Sequence, residues 1–272
     1  MRDSINHYWL IAICLICVAT ALLLEPIAQD PAYHLFADQR PLLGVANFWN
    51  VVSNLAFVLS GLLGLKLCWQ ARRQIPGVSE IGLAYPGFFL GILLTGFGSA
   101  YYHLAPDTSS LTWDRLPMTL AFMSFFIIVL AEHISVRTAR MLLWPLLLAG
   151  VLSVLYWHYT EIRQQGDMRA YILVQFLPVL LTPLILLLFN SRYTHSAYFW
   201  GMFGLYLAAK VAEHHDHTVF EYTGFSGHSL KHLLAGGGAL VFYLMLAQRR
   251  AASTSELATR SEANPVADSL PG

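Results

Sequence analysis

Long apolar stretches alternate with short polar segments along almost the entire chain. Eight of these stretches approach the about 20 residues that a helix needs to cross a bilayer. They cover residues 8–26, 49–69, 84–103, 116–133, 140–158, 170–189, 197–213 and 229–247. Because lipid offers the backbone no hydrogen-bond partners, each stretch is predicted to be helical. The pattern therefore predicts an all-α, polytopic transmembrane helix bundle.

The amino-acid composition supports an integral membrane protein. Hydrophobic residues make up 56% of the 272-residue chain and charged residues only 12%, against about 25% charged residues in soluble proteins. The mean hydropathy of +0.54 points the same way. The zero net charge says nothing about nucleic acid, but no basic patch with interleaved aromatic residues appears, so no nucleic-acid partner is expected. A lipid is the expected partner, and nothing in the sequence sets an oligomeric state.

The first apolar stretch has some features of a secretory signal. It is longer than the about 7–15 apolar residues of such a signal, and no clear cleavage site follows it. We therefore interpret residues 1–28 as an additional N-terminal transmembrane helix. Residues 29–247 are predicted to form a core of seven transmembrane helices. Residues 248–272 are polar and short of aromatic residues, which predicts a disordered cytoplasmic tail.

The distribution of Lys and Arg in short loops predicts the orientation of the bundle. With eight spans, both chain ends lie on one side of the membrane, together with the loop at 70–83 and the turn at 134–139. That side carries Arg2, Arg72, Arg73, Arg137, Arg140, Arg192, Arg249 and Arg250. We therefore predict that both chain termini are cytoplasmic. Most acidic and histidine residues outside the tail fall on the opposite, outer face, where the active site is expected.

A polar cluster interrupts the apolar pattern in GFGSAYYHLAPDTSSLTWDRLPM, residues 96–118. Ser99 and His103 lie four residues apart at the outer end of the third span, so they share one helix face. Asp114 is predicted to open the fourth span, with Pro117 in its first turn. Asp114 is then either a helix N-cap or, because a carboxylate can transfer protons, a catalytic group.

A pair of histidines begins the last span. His228 and His232 are four residues apart in SGHSLKHLLAGGGAL, the spacing with which zinc-binding helices present two imidazoles. The predicted topology places His103 at the same membrane level. Polar side chains at membrane depth are costly without partners. The three histidines are therefore predicted to bind one metal ion.

A second polar group lies between the last two spans in KVAEHHDHTVFEYTG. It offers Lys210, Glu213, His214, His215, Asp216 and His217. Consecutive side chains point in different directions, so at most one or two of these histidines can face a common ion. The group is interpreted as loop surface or as support for the site, with primary metal ligation as the alternative.

Four segments, NFWNVVSN, GFGSAYYH, WDRLPM and GHSLKH, resemble the alkaline ceramidase family in their order and spacing. This family belongs to the CREST group of seven-helix membrane hydrolases. The resemblance runs from about residue 38 to residue 247, as in a bacterial-type member with an extra N-terminal span. It implies hydrolysis of the ceramide amide by a zinc-activated water, with Zn²⁺ bound by His103, His228 and His232. It also implies that Ser99 and Asp114 are the catalytic polar pair.

Elementary chemistry is consistent with these roles. Three neutral histidines leave zinc doubly charged, which lowers the pKa of its water to about 7. Asp114 would accept a proton from that water and pass it to the leaving amine. Ser99 would either donate a hydrogen bond to the developing oxyanion or hold the water, and the sequence leaves both roles open.

The segment DQRPLLGVANFWNVVSN departs from the family pattern. Ceramidases carry an acidic Ca²⁺ loop ahead of this helix, with a Glu directly before Phe-Trp-Asn, whereas this chain has Asn47 there. The upstream loop offers Asp30 and Asp38, while Ca²⁺ prefers about 6–8 oxygen ligands. A Ca²⁺ site is therefore doubtful. Interhelical hydrogen bonds are predicted instead for Asn47, Asn50, Ser53 and Asn54.

Three functions are compatible with these features. The favoured one is a zinc-dependent amidase that converts ceramide or a related N-acyl lipid to a fatty acid and an amine such as a sphingoid base. The second is a seven-helix zinc-binding receptor or sensor without robust hydrolase activity, which would not need Ser99 and Asp114 beside the metal. The third is a transporter with a histidine-lined path, which the lack of internal symmetry disfavours.

Overall fold

A computed structural model describes residues 2–263 of the chain, with side chains for residues 5–250. Within that range the regular secondary structure is α-helical, apart from a short 3₁₀ turn at Pro31–His34. The helices are α1 (Arg2–Leu23), α2 (Phe48–Val52), α3 (Leu55–Ala71), α4 (Ala84–Leu104), α5 (Thr108–His133), α6 (Val136–Ile162), α7 (Arg169–Leu188), α8 (Ala197–His214), α9 (Asp216–Thr223) and α10 (Gly227–Ala263). The predicted all-α transmembrane bundle is confirmed.

A helix occupies each of the eight predicted apolar stretches. In the described part of the chain, six segments are long and apolar enough to cross a membrane: α1, the combined α2 and α3, α5, α6, α7 and α10. The other two long helices, α4 and α8, end in polar residues near His103 and Glu213. The polar end lowers the hydropathy of α8, whereas glycine, tyrosine and proline residues along the helix lower that of α4.

The start of α5 differs from its predicted position. Its N-cap is Asp107, whose Oδ1 accepts a hydrogen bond from the Ser110 backbone N–H at 2.6 Å, while Ser110 Oγ accepts one from the Asp107 N–H at 3.0 Å. This capping box starts the helix before the apolar stretch begins. The prediction that Asp114 caps the helix was therefore wrong. Asp114 lies in the second turn, and Pro117 lies inside the helix rather than in its first turn.

Close contact between α4 and α5 brings two of the predicted site residues together. Pro117 has no N–H to bond the carbonyl of Trp113, so that carbonyl is free of its usual helical partner. Gly98 packs against it, and a Cβ on Gly98 would lie 2.0 Å from the Trp113 oxygen. Only glycine allows this approach, which sets Ser99 of α4 beside Asp114 of α5.

Helix α5 is the most buried of the candidate spans and packs against α4, α6 and α7. Helix α10 packs against α8 and α3, and α1 lies on the outside against α7. The consecutive helices α7 and α8 hardly touch one another, although each packs firmly on another helix. The space between them forms part of the cavity described below.

The end of the bundle away from His103 is held by a buried ion pair. Arg249 donates to both oxygens of Glu132 at 2.7 and 2.9 Å, and Tyr85 donates to Oε1 at 2.7 Å. Arg249 therefore belongs to the bundle, although the sequence assigns it to a disordered tail over 248–272. Helix α10 continues through this segment to Ala263, and residues 264–272 lie outside the described part of the chain.

Candidate metal centre and cavity

Three buried histidines meet where α4 ends and α10 begins. His103 lies in the last turn of α4, and His228 and His232 lie in the first turns of α10. One ring nitrogen from each lies within 4.8 Å of those of the other two. Their ring centroids are separated by 4.9 to 5.0 Å. Among the described residues, these three histidines form the cluster whose side-chain atoms lie close enough together to bind one metal ion.

The hydrogen bonding of these rings fits metal ligation. Both ring nitrogens of His103 and the Nε2 atoms of His228 and His232 are buried without a hydrogen-bond partner among the described residues. Buried polar atoms usually have a hydrogen-bond partner. Several ring nitrogens without one, close together, therefore indicate a binding site for a ligand. A divalent metal ion would satisfy one nitrogen of each ring.

Ser53 fixes the orientation of one of the rings. Its Oγ lies 2.8 Å from Nδ1 of His232 and donates to the Asn50 carbonyl at 3.2 Å. Because the hydroxyl has one proton, it accepts from His232, which places the imidazole proton on Nδ1. The Nε2 lone pair of His232 is then directed to the metal position, as in many metal-ligating histidines.

Asp216 positions the first turn of α10. Its Oδ1 accepts hydrogen bonds from Ser226 Oγ at 2.6 Å and from the His228 N–H at 2.9 Å. Its Oδ2 accepts from the Ala37 N–H at 2.9 Å. His214, His215 and His217 are exposed and stand outside the histidine trio. Within this segment Asp216 thus holds the start of α10, and α9 makes most of the segment helical rather than a loop.

The segment before α2 covers the histidines. The ring of Phe36 packs on those of His103 and His228, with centroid distances of 4.6 and 4.5 Å. Nearby, Asp38 is ion-paired with Arg40 at 2.6 Å. Burial alone would raise the pKa of the Asp38 carboxyl, but the hydrogen bonds from Arg40 hold it below its usual value. This segment thus packs Phe36 on the histidines and is stabilised nearby by the ion pair of Asp38 and Arg40.

The polar residues at the start of α2 and α3 connect this cover to the helices. Asn47 Nδ2 donates to the His103 carbonyl at 2.8 Å, and Ser229 Oγ donates to Asn50 Oδ1 at 2.7 Å. The predicted interhelical hydrogen bonds of this segment are confirmed for Asn47, Asn50 and Ser53. Asn54 bonds within its own segment, to the Asn50 carbonyl at 2.7 Å.

A cavity of about 550 Å³ reaches the histidine cluster and is lined by His232 together with Ser99 and Asp114. The last two are 2% and 6% exposed, and the close approach of α4 to α5 at Gly98 sets them near one another. Much of the remaining wall is apolar and includes Phe57, Phe88, Phe122, Phe125, Phe176 and Phe203. The cavity thus has polar residues at one end and an apolar wall elsewhere. This shape and polarity suit a lipid with a polar group at the end of a long hydrocarbon chain.

Charged residues also line the cavity, including Lys210 and Glu213 of the polar group between the last two spans. Glu213 is ion-paired with Lys210 and with Lys231, the latter at 2.9 Å. Arg115, next to Asp114, is buried and also lines the wall. Lys210 and Glu213 are only three residues apart, but Lys231 is distant from Glu213 in sequence and Arg115 from its hydrogen-bond partner Gln29, so no local spacing pattern indicates the whole set.

One comparison with known proteins matches a large part of the chain. The family model described as Ceramidase matches residues 43–212, which is more than half of the sequence. The match includes Ser99, His103 and Asp114 and ends before His228 and His232. No match was found among curated proteins.

Proposed function

Since the chain belongs to the ceramidase family and is therefore a hydrolase of amide C–N bonds, we propose that it is a zinc-dependent intramembrane amidase. Its proposed substrates are ceramide and related N-acyl lipids. The products would be a free fatty acid and an amine such as a sphingoid base.

The observation that carries this proposal is the convergence of His103, His228 and His232. Each ring has a buried nitrogen without a hydrogen-bond partner in the described structure, and one of the three residues, His232, lines the same cavity as Ser99 and Asp114. Three histidines with an open position are typical of catalytic zinc sites. The donor set therefore supports Zn²⁺, with the three imidazoles as ligands.

Zinc at this position would supply a Lewis acid for the amide carbonyl and an activated water at neutral pH. Asp114 would take a proton from the attacking water and return it to the nitrogen of the leaving amine as the C–N bond breaks. Ser99 would donate a hydrogen bond to the carbonyl oxygen as negative charge develops there. Ser99 and Asp114 both line the cavity, where these roles require them.

The apolar wall would accommodate the hydrocarbon chains of the substrate. The proposed orientation places the histidine cluster near the outer face of the membrane and both termini in the cytoplasm, as the Lys and Arg bias suggests. In this proposal residues 29–247 form the catalytic core, and α1 is an added transmembrane helix against α7.

The decisive experiment incubates the purified, detergent-solubilised protein with a panel of N-acyl lipids and measures released fatty acid and amine by mass spectrometry. Matched samples are treated with a zinc chelator, and chelated samples are then resupplied with Zn²⁺. We expect hydrolysis of at least one ceramide or N-acyl lipid, its loss on chelation and its recovery with zinc. Release that survives removal of all bound metal would contradict the zinc proposal, whereas zinc binding without cleavage of any lipid would favour a receptor.

A further inference from the structure

Arg115 is a buried cation on the wall of the proposed active-site cavity. Its side chain is only 6% exposed, although it lies one residue after Asp114 on α5. The guanidinium carbon lies 4.2 Å from the ring centroid of Trp157 and 4.7 Å from that of Tyr171. Stacking on two aromatic rings fixes the plane of the guanidinium group and leaves its edges for hydrogen bonding.

The hydrogen bonds of Arg115 are incomplete. Nη2 donates to Gln29 Oε1 at 2.6 Å, while Nη1 is buried and has no partner among the described residues. None of the ion pairs found between described side chains includes Arg115. A guanidinium keeps its charge at any physiological pH, so burying it without a carboxylate in ion-pair contact is unfavourable. An anionic ligand in the cavity would remove that penalty.

The other cations of the cavity are already paired. Lys210 and Lys231 both contact the carboxylate of Glu213. One carboxylate offsets only one of the two lysine charges, but each ammonium group already has an ion-pair partner before a ligand enters, whereas Arg115 has none among the described side chains. Arg115 is therefore the lining cation, among those that the structure describes, that is best prepared to bind an anion.

The location of Arg115 indicates which part of a substrate it would meet. If Asp114 returns a proton to the leaving amine, the amine portion of the lipid lies beside the second turn of α5. Arg115 borders the same cavity from that turn. Resting on the proposed amidase function, we propose that Arg115 is a specificity-determining residue that binds an anionic oxygen on the amine portion of the substrate. The preferred substrate class is then N-acyl lipids with a carboxylate or sulfonate near the amide.

The test compares binding of three non-hydrolysable ligands with the same acyl chain. In each, a CH₂ group replaces the amide nitrogen, and the short end carries a carboxylate, a sulfonate or a neutral alcohol. Equilibrium binding is measured on the full-length protein, on Arg115→Gln and Arg115→Lys, and on Arg163→Gln as a control. Arg163 is an exposed arginine at the end of α6 that stacks on Tyr159.

We expect the wild type to bind at least one anionic ligand about 10- to 100-fold more tightly than the alcohol, the range for a hydrogen bond to a charged group. Arg115→Gln should lose this preference, Arg115→Lys should keep part of it, and Arg163→Gln should keep all of it. The carboxylate and sulfonate ligands distinguish the two sources of the anion. Equal binding of all three ligands by the wild type would overturn the inference, even if Arg115→Gln does not fold.

Binding of these ligands does not depend on hydrolysis, so the two proposals fail in different ways. Anion preference without cleavage of any N-acyl lipid would reject the amidase and retain Arg115 as an anion-binding residue. Cleavage of N-acyl lipids without anion preference would retain the amidase and reject the role of Arg115.

Discussion

The Ser53 hydroxyl on the turn between α2 and α3 lies 2.8 Å from Nδ1 of His232, a residue 179 positions later in the chain. Ser53 also donates to the Asn50 carbonyl, so it can only accept from the imidazole. This hydrogen bond fixes both the tautomer and the rotation of a proposed metal ligand. The start of the second predicted span thus contributes directly to the candidate metal centre.

Ser53→Ala should weaken metal binding about 10- to 100-fold, the usual effect of removing a residue that orients a ligating histidine. The measurement is metal affinity by competition with a chelator of known affinity. Ser60→Ala is the matched control, because Ser60 is a buried serine of α3 that bonds to carbonyls of its own helix. Equal effects of the two substitutions would show that Ser53 does not orient His232.

His228→Ala should remove metal and activity together. Two imidazoles remain, and the loss of one of three protein ligands leaves the ion poorly held. Metal content of the purified variant can be measured by mass spectrometry, with His217→Ala as control because His217 is exposed and outside the trio. A variant that retains a full equivalent of tightly bound metal would exclude His228 as a ligand.

Asp114→Asn should lower turnover of the best N-acyl lipid about 10²- to 10⁴-fold, because the amide cannot accept a proton. Metal content and thermal stability should change little. The matched control is Asp107→Asn, which alters the real N-cap of α5 to another good capping residue and should leave turnover near normal. Near-normal turnover of Asp114→Asn would remove it from the mechanism.

Gly98→Ala should destabilise the bundle by about 1–3 kcal/mol, since the added methyl would meet the Trp113 carbonyl at 2.0 Å. The forced separation of α4 from α5 should also reduce turnover, because it moves Ser99 from Asp114. Thermal unfolding in detergent and a lipid assay provide the two readouts. Gly204→Ala, where no atom lies within 4 Å, should be neutral or slightly stabilising.

Hydropathy predicted the fold because every span must satisfy its own backbone in lipid. It failed at the start of α5, where the boundary depends on hydrogen bonds between Asp107 and Ser110 rather than on apolar residues. It also gave no indication that Arg249 is buried, since the partner of Arg249 is 117 residues away.

The histidine cluster was predictable because two of its members share a helix face and the third lies at the same membrane level. The residues that support it were harder to infer. Asp216 acts through the backbone of His228, and Arg115 is held by the aromatic rings of Trp157 and Tyr171. These relationships exist only after distant helices pack, so no local pattern in the sequence indicates them.

The pair of Glu132 and Arg249 has a consequence for how the protein assembles during synthesis. Glu132 enters the membrane when the ribosome has yet to translate the residue that neutralises it, 117 positions later. Until α10 inserts, the partly built bundle contains a carboxyl group without its cation, which opposes closure of that end. Docking of the last helix therefore supplies the missing charge and completes the polar histidine cluster in one event. A chain that stops before residue 249 should remain an open intermediate, exposed to membrane proteases.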